Sequence, residues 1–191
     1  MPEGSSATVN DGDVLLLVGT MKGAFILSSD SERKEWRVDG PHFRGETVYS
    51  MALDQRGGRR RTLAGTQSWH WGSVVRASDD FGGTWTAPER QNVRFPEDSG
   101  LALKNIWQIH PGPAGEPDLM YCGVEPAALF ESRDAGDTWS PVEGLLKHEH
   151  RERWMPGGGG LCLHTIVLDP ANRRRMGVAI STAGFYRTDD G

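Results

Sequence analysis

Short apolar stretches separated by turn residues run along the whole chain, and none carries the 3.6-residue spacing of an amphipathic helix. Three kinds of stretch return in a fixed order. One kind, labelled A, ends in Asp or His-Pro: Val48–Asp54, Asn105–His110 and His164–Asp169. The next, B, reads Leu17-Val18-Gly19-Thr20, Leu63-Ala64-Gly65-Thr66, Tyr121-Cys122-Gly123-Val124 and Val178-Ala179-Ile180-Ser181. The third, C, comprises Gly23–Ser28, Ser73–Ser78, Ala127–Ser132 and Gly184–Thr188. Small or apolar residues alternate with polar ones in these stretches, which predicts half-buried β-strands rather than helix. A fourth strand, D, is expected after each turn that closes C.

That closing turn is itself a repeat. Ser78-Asp79-Asp80-Phe81-Gly82-Gly83-Thr84-Trp85 recurs as Ser132-Arg133-Asp134-Ala135-Gly136-Asp137-Thr138-Trp139, so both copies read S-x-D-x-G-x-T-W. A third begins at Thr188-Asp189-Asp190-Gly191, and a degenerate one lies at Ser28-Ser29-Asp30 with Trp36. First positions 28, 78, 132 and 188 give steps of 50, 54 and 56 residues. With β-rich content, that period means one propeller blade per repeat. The residue types are those of a hairpin staple. Ser and Asp accept from backbone N–H groups across the turn, Gly takes φ > 0, and Trp packs beneath the blade.

The octapeptide resembles the Asp box, or bacterial neuraminidase repeat, of sialidase-like β-propellers. The structural residues implied are Ser78, Asp80, Gly82, Thr84 and Trp85, and Ser132, Asp134, Gly136, Thr138 and Trp139. The fold expected is all-β, a propeller of four-stranded antiparallel blades. Blade 1 covers about 13–39, blade 2 about 47–88, blade 3 about 105–142 and blade 4 about 163–191, the last one partial. Blade 1 has no strand A. The chain therefore reads as the N-terminal part of a propeller of roughly seven blades. Open blade edges would favour self-association.

Composition narrows the partners. A formal net charge of −5 argues against general nucleic-acid binding. The longest apolar run, Val14–Val18, is too short to span a membrane, and residues 1–13 have no basic leader region. Cys122 and Cys162 suit buried thiols of a reducing compartment, so a cytoplasmic location is expected. No cofactor is implied.

Candidate chemistry gathers on the face opposite the octapeptides, where the D-to-A and B-to-C loops emerge. The D-to-A connections, Asp39–Thr47, Ala87–Lys104 and Val142–Cys162, are long and carry aromatic and ionisable residues, which marks them as functional. Trp69, His70, Trp71, Lys104 and Trp154 are the candidate ligand contacts, an aromatic and charged set suited to a carbohydrate or small polar ligand. Glu125, Glu97, Asp98 and His164 are the candidate catalytic groups; Trp69, His70, Glu125 and His164 are expected to converge near the axis. His148-x-His150 and His164 lack the spacing of a zinc site, so no metal is expected. Gly157–Gly160 lacks the Lys-Ser/Thr of a phosphate loop and is expected to let the chain pass close to the axis. Arg59-Arg60-Arg61 and Arg173-Arg174-Arg175 read as solvated A-to-B turns, or as two triplets on one face that could meet an acidic partner.

Further resemblances bear on activity. Sialidases carry an Arg-Ile-Pro motif ahead of the first box; Arg94-Phe95-Pro96 follows a box instead. Xyloglucan-type endoglucanases are similar at Gly157–Gly160 and Gly184-Phe185-Tyr186-Arg187, with Ser181 near the position of their catalytic Asp. Bacterial propellers labelled glycosyl hydrolase or exo-α-sialidase resemble the chain at Pro41-His42-Phe43, Phe95–Gly100, Gly123–Pro126 and Gly157–His164. Two functions follow. One is a propeller that binds a ligand without catalysis. The other is a glycoside hydrolase using Glu125 with Glu97 or Asp98, which requires carboxyl groups about 5–9.5 Å apart.

Overall fold

A computed structural model describes residues 9–68, 70, 72–86 and 88–191, so the platform expected at Trp69 and Trp71 lies outside the described residues. Four antiparallel sheets follow one another along the chain, each a simple meander. The first holds β1 (Val14–Thr20), β2 (Gly23–Ser29) and β3 (Arg37–His42). The second holds β4 (Thr47–Asp54), β5 (Arg61–Ser68) and β6 (Gly72–Ser78). The third is β7 (Asn105–Pro111), β8 (Met120–Glu125), β9 (Ala128–Ser132) and β10 (Ser140–Pro141). The fourth is β11 (Leu163–Leu168), β12 (Met176–Ile180) and β13 (Gly184–Thr188). One helical turn, α1 (Glu143–Leu146), interrupts the loop after β10.

Among the described residues the four-strand pattern is thus complete only in the third sheet. In the second, side chains do the work of strand D. Asn92 accepts from the Val75 N–H (3.0 Å) and donates to the Val75 carbonyl (2.9 Å). Gln91 donates to the Ser73 carbonyl (3.2 Å), and Thr86 receives the Ala77 N–H on its hydroxyl (2.9 Å). These bonds cap the outer edge of β6 at Ser73 O, Val75 and Ala77 and leave less of it open to a foreign strand.

The sheets join through devices that repeat with the sequence. A Cβ on Gly19, Gly65 or Gly123 would meet Val48 O at 2.5 Å, Ile106 Cγ2 at 2.7 Å or Leu163 O at 2.5 Å. Each glycine thus lets the first strand of the next sheet lie against the backbone of its own. Pairing places Ala179, opposite Thr165 and Phe185, in the register of Gly65 and Gly123. The sequence alignment, which put Ile180 there, is corrected by one residue. Hydrogen bonds add to the joint: Ser50 Oγ accepts from the Ile109 N–H (2.8 Å), and Gln108 Oε1 from the Ile166 N–H (2.6 Å). Between the sheets lies an apolar core in which Phe130, Leu63, Ile106 and Leu163 are wholly buried.

In the Arg59–Arg61 turn Arg60 is exposed, but its two neighbours are bound rather than solvated. Arg59 pairs with Asp118 in the turn between β7 and β8, and Arg61 reaches both Asp79 (3.3 Å) and Asp137 of the next octapeptide. These arginines bridge neighbouring sheets. Arg175 keeps the equivalent bond to Asp189 (2.7 Å), while Arg173 and Arg174 are exposed.

Both intact octapeptides form the same turn. Ser78 Oγ donates to Asp80 (2.7 Å) and accepts from the Gly82 N–H (2.7 Å); Ser132, Asp134 and Gly136 repeat this at 2.7 and 2.8 Å. Asp80 then accepts from Thr84 N (2.8 Å) and Thr84 Oγ1 (2.8 Å), as Asp134 does from Thr138 (2.9 and 2.5 Å). The degenerate copy does not: Ser28 Oγ receives the Arg37 Nε–H instead, and Asp30 caps Glu32 and Arg33.

Candidate ligand site

The first strands β4, β7 and β11 pack on one another and form the inner side of the arc. Each breaks register at the same place, between Val48 and Ser50, Ile106 and Gln108, and Leu163 and Thr165. The extra residue of each bulge is Tyr49, Trp107 or His164. A bulge leaves one residue unpaired and re-aims its side chain. Tyr49 is 44% exposed, and its ring stacks on Trp107 at 4.9 Å and 30°. The result is an aromatic shelf across two sheets.

Glu125 holds the shelf in place. It ends β8, is 8% exposed, and accepts at Oε2 from Trp107 Nε1 (3.2 Å) and Asn105 Nδ2 (3.1 Å). Lys104 Nζ lies 3.7 Å from Oε1, and the Lys104 N–H donates to the Glu125 carbonyl at 2.8 Å. The glycine run passes directly over this carboxylate. Gly160 has φ +90°, and a Cβ on it would meet Glu125 Oε1 at 2.5 Å. The amide of Asn105 turns its donor to Glu125; its buried Oδ1 has no partner among the described residues. Cys162 packs nearby, its thiol pushed up by burial first and by the Glu125 charge second.

The other sequence candidates are placed differently. His164 occupies the bulge of β11, exposed, with Nδ1 on Thr165 Oγ1 (2.8 Å). His70 is exposed at the end of β5, where its N–H donates to Ser68 Oγ (3.2 Å). Glu97 and Asp98 are exposed on a short 3-10 turn and share no hydrogen bond or ion pair with Glu125. Trp154 is turned inward. It is 7% exposed, its Nε1 donates to Tyr186 Oη (2.7 Å), and the Arg151 guanidinium lies over its ring at 5.4 Å. This indole packs the long loop onto the fourth sheet. Among the described residues no cluster of His, Cys, Asp and Glu could hold a metal.

Tyr49, Trp107 and Asn105 were not singled out from sequence, although a signal exists. Val48-Tyr49-Ser50, Ile106-Trp107-Gln108 and Leu163-His164-Thr165 all read aliphatic, aromatic, polar at one register of strand A. Chemically, the site offers an apolar ring face, a held carboxylate, an exposed ammonium on Lys104 and an amide acceptor without a partner among the described residues. That set suits a ligand with a flat apolar face and hydroxyl or amine donors.

No family model matches the chain, and no curated protein matches it. Solved structures do. The GH74 xyloglucanase from Xanthomonas campestris superposes with TM-score 0.63 at 15% identity, over 98% of this chain and 26% of that one. YCF48 bound to D1 peptide gives 0.57 at 14% identity, over 87% and 45%. YCF48 from Cyanidioschyzon merolae gives 0.54 at 11% identity, over 95% and 52%. The chain spans from about a quarter to half the length of these proteins. Both kinds of neighbour are β-propellers, and at these identities the likeness shows the fold: the four sheets are blades of a β-propeller.

Proposed function

We propose that this is a ligand-binding propeller of the sialidase-like, Asp-box type, taking a carbohydrate or small polar ligand at the Tyr49–Trp107 shelf without catalysis. The observation that carries the reading is the use made of Glu125. Its carboxylate is spent on orienting Trp107 and Asn105, so it acts as a positioning residue. Stacked aromatic faces beside polar groups are how proteins grip sugar rings. Lys104 and the Asn105 Oδ1 supply the polar contacts that would set orientation. Reducing surroundings fit the two buried thiols, and we assign the protein to the cytoplasm.

The test is a screen of oligosaccharides against wild type, Trp107→Ala and Glu125→Gln, read by affinity electrophoresis and product analysis. Trp107→Ala should weaken binding at least tenfold, and Glu125→Gln should weaken it less while shifting the Trp107 fluorescence. Because one propeller neighbour carries a peptide, an unlabelled peptide library belongs in the same screen. Glycosidic cleavage lost in Glu125→Gln would establish the hydrolase reading instead, with Glu97 or Asp98 as partner acid. Binding unchanged in both variants would end the proposal.

A further inference from the structure

Donors and acceptors are unequally spent at the Tyr49–Trp107 shelf. The indole N–H of Trp107 and an amide N–H of Asn105 both go to Glu125 Oε2, at 3.2 and 3.1 Å. What remains beside the rings is a set of acceptors. Glu125 Oε1 takes no hydrogen bond from the described residues, yet it is not one of the sealed polar atoms left without a partner, so solvent reaches it. Asn105 Oδ1 is a second acceptor without a partner among the described residues. The rings of Tyr49 and Trp107 act in the same sense, because an aromatic face carries the negative lobe of its quadrupole.

The two charges are unequal as well. The Glu125 side chain is 10% exposed and is held by its two donors. The Lys104 side chain is 67% exposed, and its ammonium stands 3.7 Å from Oε1, beyond hydrogen-bond length. Water screens that ammonium far more than it screens the carboxylate, so the fixed field at the shelf is negative. Gly160 brings no side chain across Oε1, where a Cβ would stand 2.5 Å away.

We infer that the ligand of this shelf is a cation: a ring compound with a primary ammonium group, of the amino-sugar class, whose ammonium bonds Glu125 Oε1 and displaces Lys104 from it. The inference rests on the shelf being the binding site. An ammonium brings three donors to a place that offers acceptors. Its charge is attracted by the carboxylate and by aromatic faces within about 6 Å. A neutral hydroxyl gains a hydrogen bond there without the charge. Lys104 holds the position of the ligand's ammonium until the ligand arrives.

The experiment titrates the whole protein by calorimetry with two probes of similar shape, a glucosamine trimer and neutral cellotriose. Wild type should bind the glucosamine trimer about tenfold more tightly, or better, since hydrogen bonds between charged groups exceed those to neutral ones. Lys104→Met, a change on an exposed side chain, should raise that preference about threefold by removing the competitor for Oε1; any contact of Lys104 with a ring hydroxyl is common to both probes. Glu125→Gln keeps an acceptor for Trp107 and Asn105 but puts an amide NH2 in place of the open oxygen, so the preference should vanish while cellotriose still binds. Equal binding of the two probes by wild type overturns the inference and leaves the shelf reading standing. A preference unchanged or lowered in Lys104→Met overturns it too. Binding of both probes that survives Trp107→Ala undiminished, or no binding of either, ends the shelf reading and the inference with it.

Discussion

The two faces of the arc are stabilised by different physics. On the octapeptide face, residues within four positions of one another satisfy each other: Ser132, Asp134, Gly136 and Thr138 close a network that needs nothing beyond its own turn. On the opposite face, Tyr49, Trp107, Glu125 and Gly160 come from four separate stretches and meet only after three sheets have packed. The first arrangement is cheap in chain entropy and recurs with the sequence. The second is a product of sheet stacking, and a change in stacking moves it. A local network tolerates loss of its neighbours; a long-range one does not.

Removing the octapeptide side chain that sits in the core cluster should have the largest effect on that contrast. Trp139 is 7% exposed and donates its Nε1 to the Gly136 carbonyl at 3.0 Å. Trp139→Ala should cost about 3–5 kcal/mol in chemical denaturation, which is enough to unfold a marginal domain. If the octapeptide were only a surface turn, the loss would stay under about 1 kcal/mol.

An intermediate effect is expected inside the turn itself. Burial alone would raise the Asp134 carboxyl; hydrogen bonds from Thr138, Ser132 and the Asp137 N–H outweigh it and hold the group below 3.8. Burial likewise opposes, and Thr84 and Ser78 overcome it, at Asp80. A carboxyl depressed in the folded state stabilises fully above its unfolded value. The benefit therefore begins to fall as pH drops through about 4 and is gone once the native carboxyls themselves protonate. Asp134→Asn should cost about 2 kcal/mol at pH 7. It should also flatten the acid limb of the stability curve, measured by urea midpoints between pH 7 and pH 2. An unchanged acid limb would show that the network is not linked to folding.

The smallest effect is expected where sheets are joined by charge. Arg61 pairs with exposed carboxylates, Asp79 and Asp137. Arg61→Ala should cost under about 1 kcal/mol, and the difference from wild type should shrink in 1 M salt. A larger, salt-independent loss would mean that the aliphatic stem packs as core.

Much of this architecture is visible in the chain. The strand order A, B, C and the S-x-D-x-G-x-T-W turn are short-range patterns, and they gave three strands and the closing turn in each of the middle two sheets. Legibility failed where a pattern lost its phase. All six residues of β8 are buried, so strand B has no inside-outside alternation to mark its register, and the fourth copy was aligned one residue out. It also failed where side chains replaced backbone. Nothing in Gln91-Asn92 announces that two amides will close the edge of β6.

The sequence by itself determined the repeating unit, because turn chemistry and strand alternation act over fewer than ten residues and survive in any context. The tertiary structure alone decided which loop residues face one another. Trp154, in a loop rich in charge, folds inward onto Tyr186, while Trp107, in an apolar strand, turns out beside Tyr49. The physical reason is the bulge. One unpaired residue reverses the side to which a strand residue points, and whether a ladder bulges depends on the partner strands that sheet assembly brings alongside.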